Sequence, residues 1–249
     1  MMAVVLTLSA LASFQALREF LTLAHTRRAD HWALFAAFFV VVPVQHWLIA
    51  IEWYGLYSVF IPVYAFLLLP ILSVFRGDPK SYLDRVAELQ WALMTCVYCL
   101  SHVPALLNMP LLDAGTSPVM LVVFLACCVY GAAIAERAGD AVIGRRLLAP
   151  GLAPSLTMEG LLSGVLAASA IGALLSDTVP FGISGSAALA ATVALLGGFG
   201  RLVLAAIKRD RGVEQWGGAP DRPGMLGLLG RMLYAAPIFF HLVRYFYGA

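Results

Sequence analysis

Residues 118–136 read PVMLVVFLACCVYGAAIAE and carry a single charged side chain, that of Glu136, at the last position. A helix of this length rises about 28 Å, close to the thickness of a bilayer's hydrocarbon core, and so predicts a membrane-spanning segment. Seven further apolar stretches predict spans near 2–17, 32–51, 55–75, 87–107, 159–176, 186–207 and 224–246. The sequence therefore predicts an all-α integral membrane protein with about eight transmembrane helices, built as a single polytopic membrane domain over 1–249.

The composition agrees with a membrane location. Of the 249 residues, 61% are hydrophobic and 12% are charged, whereas a soluble domain has about 25% charged residues. This balance excludes a soluble single domain, a disordered chain and a secreted disulfide scaffold. The net charge of +2 predicts no binding to nucleic acid.

The basic residues alternate between the connections of this map. Thirteen of the sixteen lysines and arginines fall in four odd-numbered connections, near 18–31, 76–87, 137–158 and 208–223. The connections near 52–54, 108–117 and 177–185 contain none. Cytoplasmic loops are enriched in lysine and arginine. The four basic connections are thus predicted to be cytoplasmic, with both termini outside.

Two of these connections contain candidate anion-binding residues. Arg145 and Arg146 precede a turn rich in proline and glycine, and arginine suits bidentate contacts to phosphate. The alternative is that both residues only set the membrane orientation. Glu159 opens the next helix, where a carboxylate favours the positive end of the helix dipole. Lys208 and Arg209 begin the most polar segment of the chain, a natural place for an anionic headgroup or a nucleotide.

Two arginines, Arg201 and Arg231, lie inside apolar spans. A charge within the membrane is costly and usually faces a cavity or a partner. The alternative for each is that the side chain reaches the membrane surface.

Three groups of residues resemble one enzyme family. The C-terminal group is 198–201 GFGR, 206–213 AIKRDRGV, 216–217 WG, 224–226 GML and 235–246 AAPIFFHLVRYF; the loop group is Gly144, Arg145, Pro150, Pro154, Thr157, Glu159 and Gly160; the middle group is 53–56, 61–66 and 96–102. Together they resemble the phosphatidate cytidylyltransferases, also called CDP-diacylglycerol synthases, and the middle group is similar to the bacterial branch.

This resemblance implies a reaction and a set of partners. The family transfers CMP from CTP to phosphatidate with magnesium, at the cytoplasmic face of a multi-helix membrane fold, and it is dimeric. For this chain it implies an anionic phospholipid such as phosphatidate or a CDP-lipid, CTP as a further ligand, and a homodimer or hetero-oligomer. It also implies a multi-pass protein of a bacterial-type inner membrane.

The chain departs from the family pattern at its acidic positions. Thr157, Glu159 and Asp210 match the pattern. The positions at which the pattern has catalytic or metal-binding aspartate are here Ala133, Arg201, Gln215, Gly227 and Gly230. Magnesium in proteins is bound by one or two carboxylates together with substrate phosphates. The resemblance therefore implies a divergent member, for which we assign no catalytic residue, metal site or cofactor.

Three functional hypotheses follow. The first is a catalytically impaired family member, a pseudoenzyme that binds an anionic lipid or a partner protein; its phosphate- or lipid-binding residues would be Arg145, Arg146, Arg201, Lys208 and Arg209. The second is an active cytidylyltransferase for phosphatidate or another lipid phosphate, in which remaining acids such as Glu136, Asp140 and Asp210 hold Mg²⁺. The third is a lipid transporter without nucleotide chemistry.

Overall fold

The structure is a computed structural model that describes residues 2–111, 117–213, 216 and 224–248. Over these residues it contains eight helices of at least 17 residues and one two-stranded sheet. In chain order the elements are α1 Met2–Leu21, α2 Arg28–Ala50, α3 Tyr54–Val74, α4 Tyr82–Asn108, α5 Pro118–Val142, β1 Leu147–Ala149, β2 Ala153–Thr157, α6 Met158–Leu174, α7 Gly182–Asp210 and α8 Met225–Tyr247.

Seven of the helices are long and apolar enough to cross a bilayer, namely α1 to α5, α7 and α8. The remaining helix, α6, is also apolar but has 17 residues, the lower end of the length that spans a hydrocarbon core. The chain is an all-α multi-pass membrane protein, as the hydropathy pattern predicts.

The helices extend further than the predicted spans at the basic connections. Helix α1 ends at Leu21 rather than at 17, α4 begins at Tyr82 rather than at 87, and α5 ends at Val142 rather than at 136. Hydropathy marks only the apolar part of a helix, whereas the backbone hydrogen bonds continue through polar turns. Parts of the predicted loops 18–31, 76–87, 137–158 and 208–223 are therefore helical, and Asp210 is the last residue of α7.

The connection between α5 and α6 contains a β-hairpin that the sequence did not predict. Strands β1 and β2 pair antiparallel, with Leu147 opposite Thr157 and Ala149 opposite Ala153. Pro150 and Gly151 supply the turn between them, as these residue types commonly do. The hairpin is the one sheet among the residues that the structure describes.

The chain divides into two compact units, each described here by itself. Unit 1 comprises residues 1–104 and 215–227. Its helices α2, α3 and α4 contain π-helical segments, at Ala37–Val41, Phe60–Ala65 and Met94–Cys99. Pro62 lies within the second segment, and a proline interrupts the regular helical hydrogen bonding because it lacks the N–H group.

Glu19 of unit 1 caps the start of helix α8. Its Oε1 accepts a 2.7 Å hydrogen bond from the backbone N–H of Met225, and its Oε2 accepts one of 2.9 Å from Leu226. Next to it, the rings of Phe20 and Trp216 stack with centroids 6.2 Å apart. The last turn of α1 therefore satisfies two of the N–H groups that a helix start leaves without an intrahelical partner.

Unit 2 comprises residues 105–214 and 228–249. Helices α5, α6 and α7 pack closely because glycines face backbone or small side chains across the interfaces. A Cβ atom at Gly164 would lie 3.0 Å from the carbonyl oxygen of Ala132, and one at Gly172 would lie 2.6 Å from Cβ of Ala190. Small residues allow such close approach of helices within a membrane.

Candidate functional site

Four charged side chains of unit 2 form one group, which we call the Glu136 cluster. Glu136 and Asp140 belong to α5, Arg201 to α7 and Arg231 to α8. The two acids are four residues apart, so they project from the same face of their helix. Three helices that are distant in the chain thus contribute to one polar centre between apolar segments.

Glu136 is the buried centre of the cluster. Its Oε1 accepts a 2.6 Å hydrogen bond from Nη1 of Arg201, and its Oε2 accepts one of 2.5 Å from Nη1 of Arg231. The Glu136 side chain is 1% exposed, and those of Arg201 and Arg231 are 31% and 10% exposed. Each oxygen of the buried carboxylate therefore binds one guanidinium group.

Asp140 connects the cluster to the hairpin. Its Oδ1 accepts hydrogen bonds from the backbone N–H of Thr157 at 2.9 Å and from the Thr157 hydroxyl at 2.8 Å. The same hydroxyl accepts a 3.0 Å bond from the N–H of Gly160 and so caps helix α6. The other oxygen of Asp140, Oδ2, lies 3.8 Å from Nη1 of Arg201.

Glycines in α6 make room for the two acids. A Cβ atom at Gly164 would lie 3.2 Å from Cβ of Glu136. A Cβ atom at Gly160 would overlap Oδ1 of Asp140 and lie 3.0 Å from the carbonyl oxygen of Glu136. The close contact between α5 and α6 therefore depends on the absence of a side chain at these positions.

The two adjacent arginines of the hairpin are held by their backbone. The N–H groups of Arg145 and Arg146 donate to Oε2 of Glu159 at 3.2 and 3.0 Å, and the N–H of Met158 donates to the carbonyl of Arg146 at 2.8 Å. Both arginine side chains are exposed. Glu159 lies in the first turn of α6, as predicted, but its carboxylate binds the hairpin backbone.

The other predicted basic residues lie at the end of α7. Leu161 near the start of α6 faces Gly198, whereas Gly172 near its end faces Ala190, so the two helices run antiparallel. The end of α7, with Lys208 and Arg209, consequently lies at the same end of unit 2 as the hairpin. The structure thus brings both predicted basic segments to one end. Asp210 is 73% exposed, and its Oδ2 lies 3.2 Å from Nε of Arg211.

Ala133, Gly227 and Gly230, at which the family pattern has aspartate, contribute no charge to the cluster. Ala133 is buried one turn before Glu136. Gly227 and Gly230 lie in the first two turns of α8, and Gly230 packs against Leu204. Gln215, like Glu214 and Asp221, lies outside the described residues.

Sequence reasoning found the members of the cluster but not their pairing. The Arg201 side chain does not extend freely to the membrane surface, because its Nη1 atom donates a hydrogen bond to Glu136. Arg231 also binds Glu136, a role that its sequence position alone does not predict. The available signal was the presence of intramembrane charges of both signs, which usually pair with one another.

The Glu136 cluster does not fit the magnesium ion that the family resemblance implies. Both Glu136 oxygens already bind arginine, and Oδ1 of Asp140 already accepts two hydrogen bonds. Within the described part of the chain, no group of three or more His, Cys, Asp or Glu side chains is arranged to hold a metal. An ion at Oδ2 of Asp140 would also face the positive charge of Arg201.

Two comparisons with known proteins identify a family and a relative of this chain. The sequence profile of the cytidylyltransferase family matches residues 1–246. A protein of Escherichia coli (strain K12), named Uncharacterized protein YnbB, is 34% identical over 248 residues. That alignment covers 96% of this chain and 79% of the Escherichia coli protein.

Proposed function

The chain belongs to the cytidylyltransferase family. From this premise we propose that it binds an anionic lipid phosphate at the basic end of unit 2, where the hairpin and the end of α7 with Lys208 and Arg209 lie. We also propose that it carries out little magnesium-dependent CMP transfer. The family resemblance implies the substrate class, which is phosphatidate or a CDP-lipid, with CTP as a further ligand. The observation that carries the proposal is the pairing of Glu136 with two arginines.

The pairing bears on catalysis because CMP transfer from CTP develops negative charge on phosphate oxygens. Metal ions normally neutralise this charge, and carboxylates hold the metal in place. Here the carboxylate nearest to the apolar core is neutralised by Arg201 and Arg231. The cluster contains two acids and two arginines, so it reaches charge balance from its own residues.

The same geometry leaves part of Arg201 open to a ligand. Its Nη1 atom binds Glu136, while no described contact involves its Nε or Nη2 atoms. The side chain is about one-third exposed, and Lys208 and Arg209 lie about two turns further along α7. A guanidinium binds phosphate directly and bidentately, so Arg201 contacts the lipid phosphate without a metal between them.

The membrane placement completes the proposal. Because lysine and arginine mark cytoplasmic loops, the basic end of unit 2 faces the cytoplasm in a bacterial-type inner membrane. The lipid phosphate is then bound in the cytoplasmic leaflet. The protein works as a homodimer or in a hetero-oligomer, as the family resemblance implies.

The test is phosphatidate binding by the purified protein with and without EDTA. A charge-assisted hydrogen bond contributes roughly 1.5–3 kcal/mol, so Arg201→Ala is expected to weaken binding about ten- to a hundred-fold. Arg137→Ala, which removes an exposed arginine from α5, is the matched control and should bind like the wild type. Binding that is lost in EDTA, or that is unchanged by Arg201→Ala, would overturn the proposal.

One observation favours a second candidate, an active cytidylyltransferase with relocated metal ligands. Glu136 and Asp140 lie one turn apart, and no described hydrogen bond involves Oδ2 of Asp140. This candidate requires substrate phosphates to draw Arg201 and Arg231 away from Glu136. Magnesium-dependent release of diphosphate from CTP with a panel of lipid phosphates separates the two candidates.

A further inference from the structure

The hairpin between α5 and α6 combines positive charge with outward-facing apolar side chains. Residues 141–158 contain Arg145 and Arg146 and no aspartate or glutamate. Five large apolar side chains of this segment are exposed: Val142, Ile143, Leu147, Leu152 and Met158. Val142 is 82% exposed and Leu152 is 44% exposed, so the hairpin does not bury these groups against unit 2.

A second set of side chains anchors the hairpin on the unit. Leu156 is completely buried, and Ala153 and Thr157 are buried beside it. Thr157 bonds to Asp140, and Glu159 holds the N–H groups of Arg145 and Arg146. The hairpin and its flanking residues therefore combine buried side chains that fix their position with apolar side chains that remain exposed.

The location of the hairpin indicates what contacts its exposed apolar side chains. The hairpin joins the end of α5 to the start of α6, both of which are apolar helices of a membrane protein. It consequently lies where the hydrocarbon core meets the headgroup layer. Apolar side chains at this depth enter the acyl boundary, while arginines extend to the phosphates. The Glu159 carboxylate is bound by the backbone N–H groups of Arg145 and Arg146, whereas both arginine side chains are exposed, so the surface complementary to these side chains is anionic.

We propose that the hairpin and its flanking residues, 142–158, form a lipid-docking element. Arg145 and Arg146 bind the anionic headgroups of the surrounding bilayer, and Leu147 and Leu152 insert into the acyl boundary below the headgroups. The element recognises the bulk leaflet rather than the lipid held at the Glu136 cluster. The inference rests on the membrane placement of the chain and not on the proposed function, so either can fail without the other.

The fixed backbone of the two arginines makes this binding effective. Their N–H groups and the Arg146 carbonyl are all hydrogen-bonded within unit 2. Only the side chains have to be ordered when a headgroup binds, which lowers the entropic cost of association. An arginine near an anionic membrane surface increases affinity about five-fold, so the pair accounts for about thirty-fold.

The first arm of the test is a titration of the purified protein, in uncharged detergent, with short-chain phosphatidylglycerol, followed by native mass spectrometry. The double variant Arg145→Ala/Arg146→Ala is expected to bind this lipid about thirty-fold more weakly. Arg145→Lys/Arg146→Lys retains the charge and should lose less. Arg137→Ala is the control, and an equal loss in Arg137→Ala or no loss in the double variant would overturn the proposal.

The second arm measures whether the exposed apolar side chains enter the bilayer, and it does not depend on the arginine variants. A fluorophore is attached to Leu152→Cys in a Cys127→Ser background, because Cys127 is the exposed cysteine among the four. In nanodiscs of brominated phosphatidylcholine and phosphatidylglycerol, the bromine atoms should quench this label. A label at Lys80→Cys, in the connection 76–81 that carries no large apolar side chain, should be quenched less. Equal emission from both positions would overturn the proposal, as would protection of the Leu152 label by CTP or inorganic phosphate.

Discussion

The Oε1 atom of Glu136 lies 2.6 Å from the Nη1 atom of Arg201, and the other oxygen of the same carboxylate binds Arg231. The family resemblance implies an aspartate at the position of Arg201 and a second one at Ala133, one turn before Glu136. In this chain the buried acid is Glu136, and arginines from two other helices balance its charge.

Removal of Glu136 is expected to destabilise the protein strongly. Glu136→Met leaves two arginines without their buried partner, and breaking a buried ion pair in this way costs about 3–5 kcal/mol. Thermal unfolding in detergent measures the effect. The control Glu52→Met removes an exposed glutamate and should stay close to the wild type. Equal stability of the two variants would show that the pairing contributes little.

Replacement of the whole charged triad is expected to be less harmful than loss of Glu136 alone. In Glu136→Met/Arg201→Met/Arg231→Met the only charge left in the cluster is the Asp140 carboxylate, which still accepts two hydrogen bonds from Thr157. Apolar residues of similar volume often replace buried ion networks at little cost. The free energy of unfolding should therefore lie within about 2 kcal/mol of the wild type. A triple variant that is less stable than Glu136→Met would contradict this explanation.

The close contact between α5 and α6 gives a prediction with an internal control. Gly160→Ala places a Cβ atom against the carboxylate of Asp140 and the backbone of Glu136, and such overpacking costs about 1–3 kcal/mol. Gly151→Ala adds the same atom in the hairpin turn, where no atom lies within 4 Å. It should change the unfolding free energy by less than about 0.5 kcal/mol. A similar loss of unfolding free energy in both variants would indicate a general effect of replacing glycine by alanine rather than a contact with Asp140.

The extent of α5 was largely predictable, whereas the pairing within the cluster was not. An uninterrupted apolar run identifies a spanning helix, but Glu136 is separated by 65 residues from Arg201 and by 95 from Arg231. Spacing within one helix carries no information about such distant partners. The hairpin was missed because strands of three and five residues around Pro150 and Gly151 are too short for a pattern of alternation. The capping of α8 by Glu19 likewise joins residues 206 positions apart.

That cap leads to a local prediction for unit 1. Glu19→Ala removes the acceptor for the N–H groups of Met225 and Leu226, and loss of such a cap costs about 1 kcal/mol. Hydrogen exchange at these two amides should accelerate about five-fold. Glu88→Ala also removes a carboxylate that accepts a backbone bond, from His25. The amides at the start of α8 should not respond to this control. Unchanged exchange in Glu19→Ala would show that another group caps the helix.

The most direct test of the central claim is the formation of CDP-diacylglycerol by the purified wild-type protein from CTP and phosphatidate, with and without magnesium. We expect little product in either condition, because arginines occupy both oxygens of the buried carboxylate. Robust turnover that requires magnesium would contradict it. That result would show that the protein catalyses metal-dependent cytidylyl transfer.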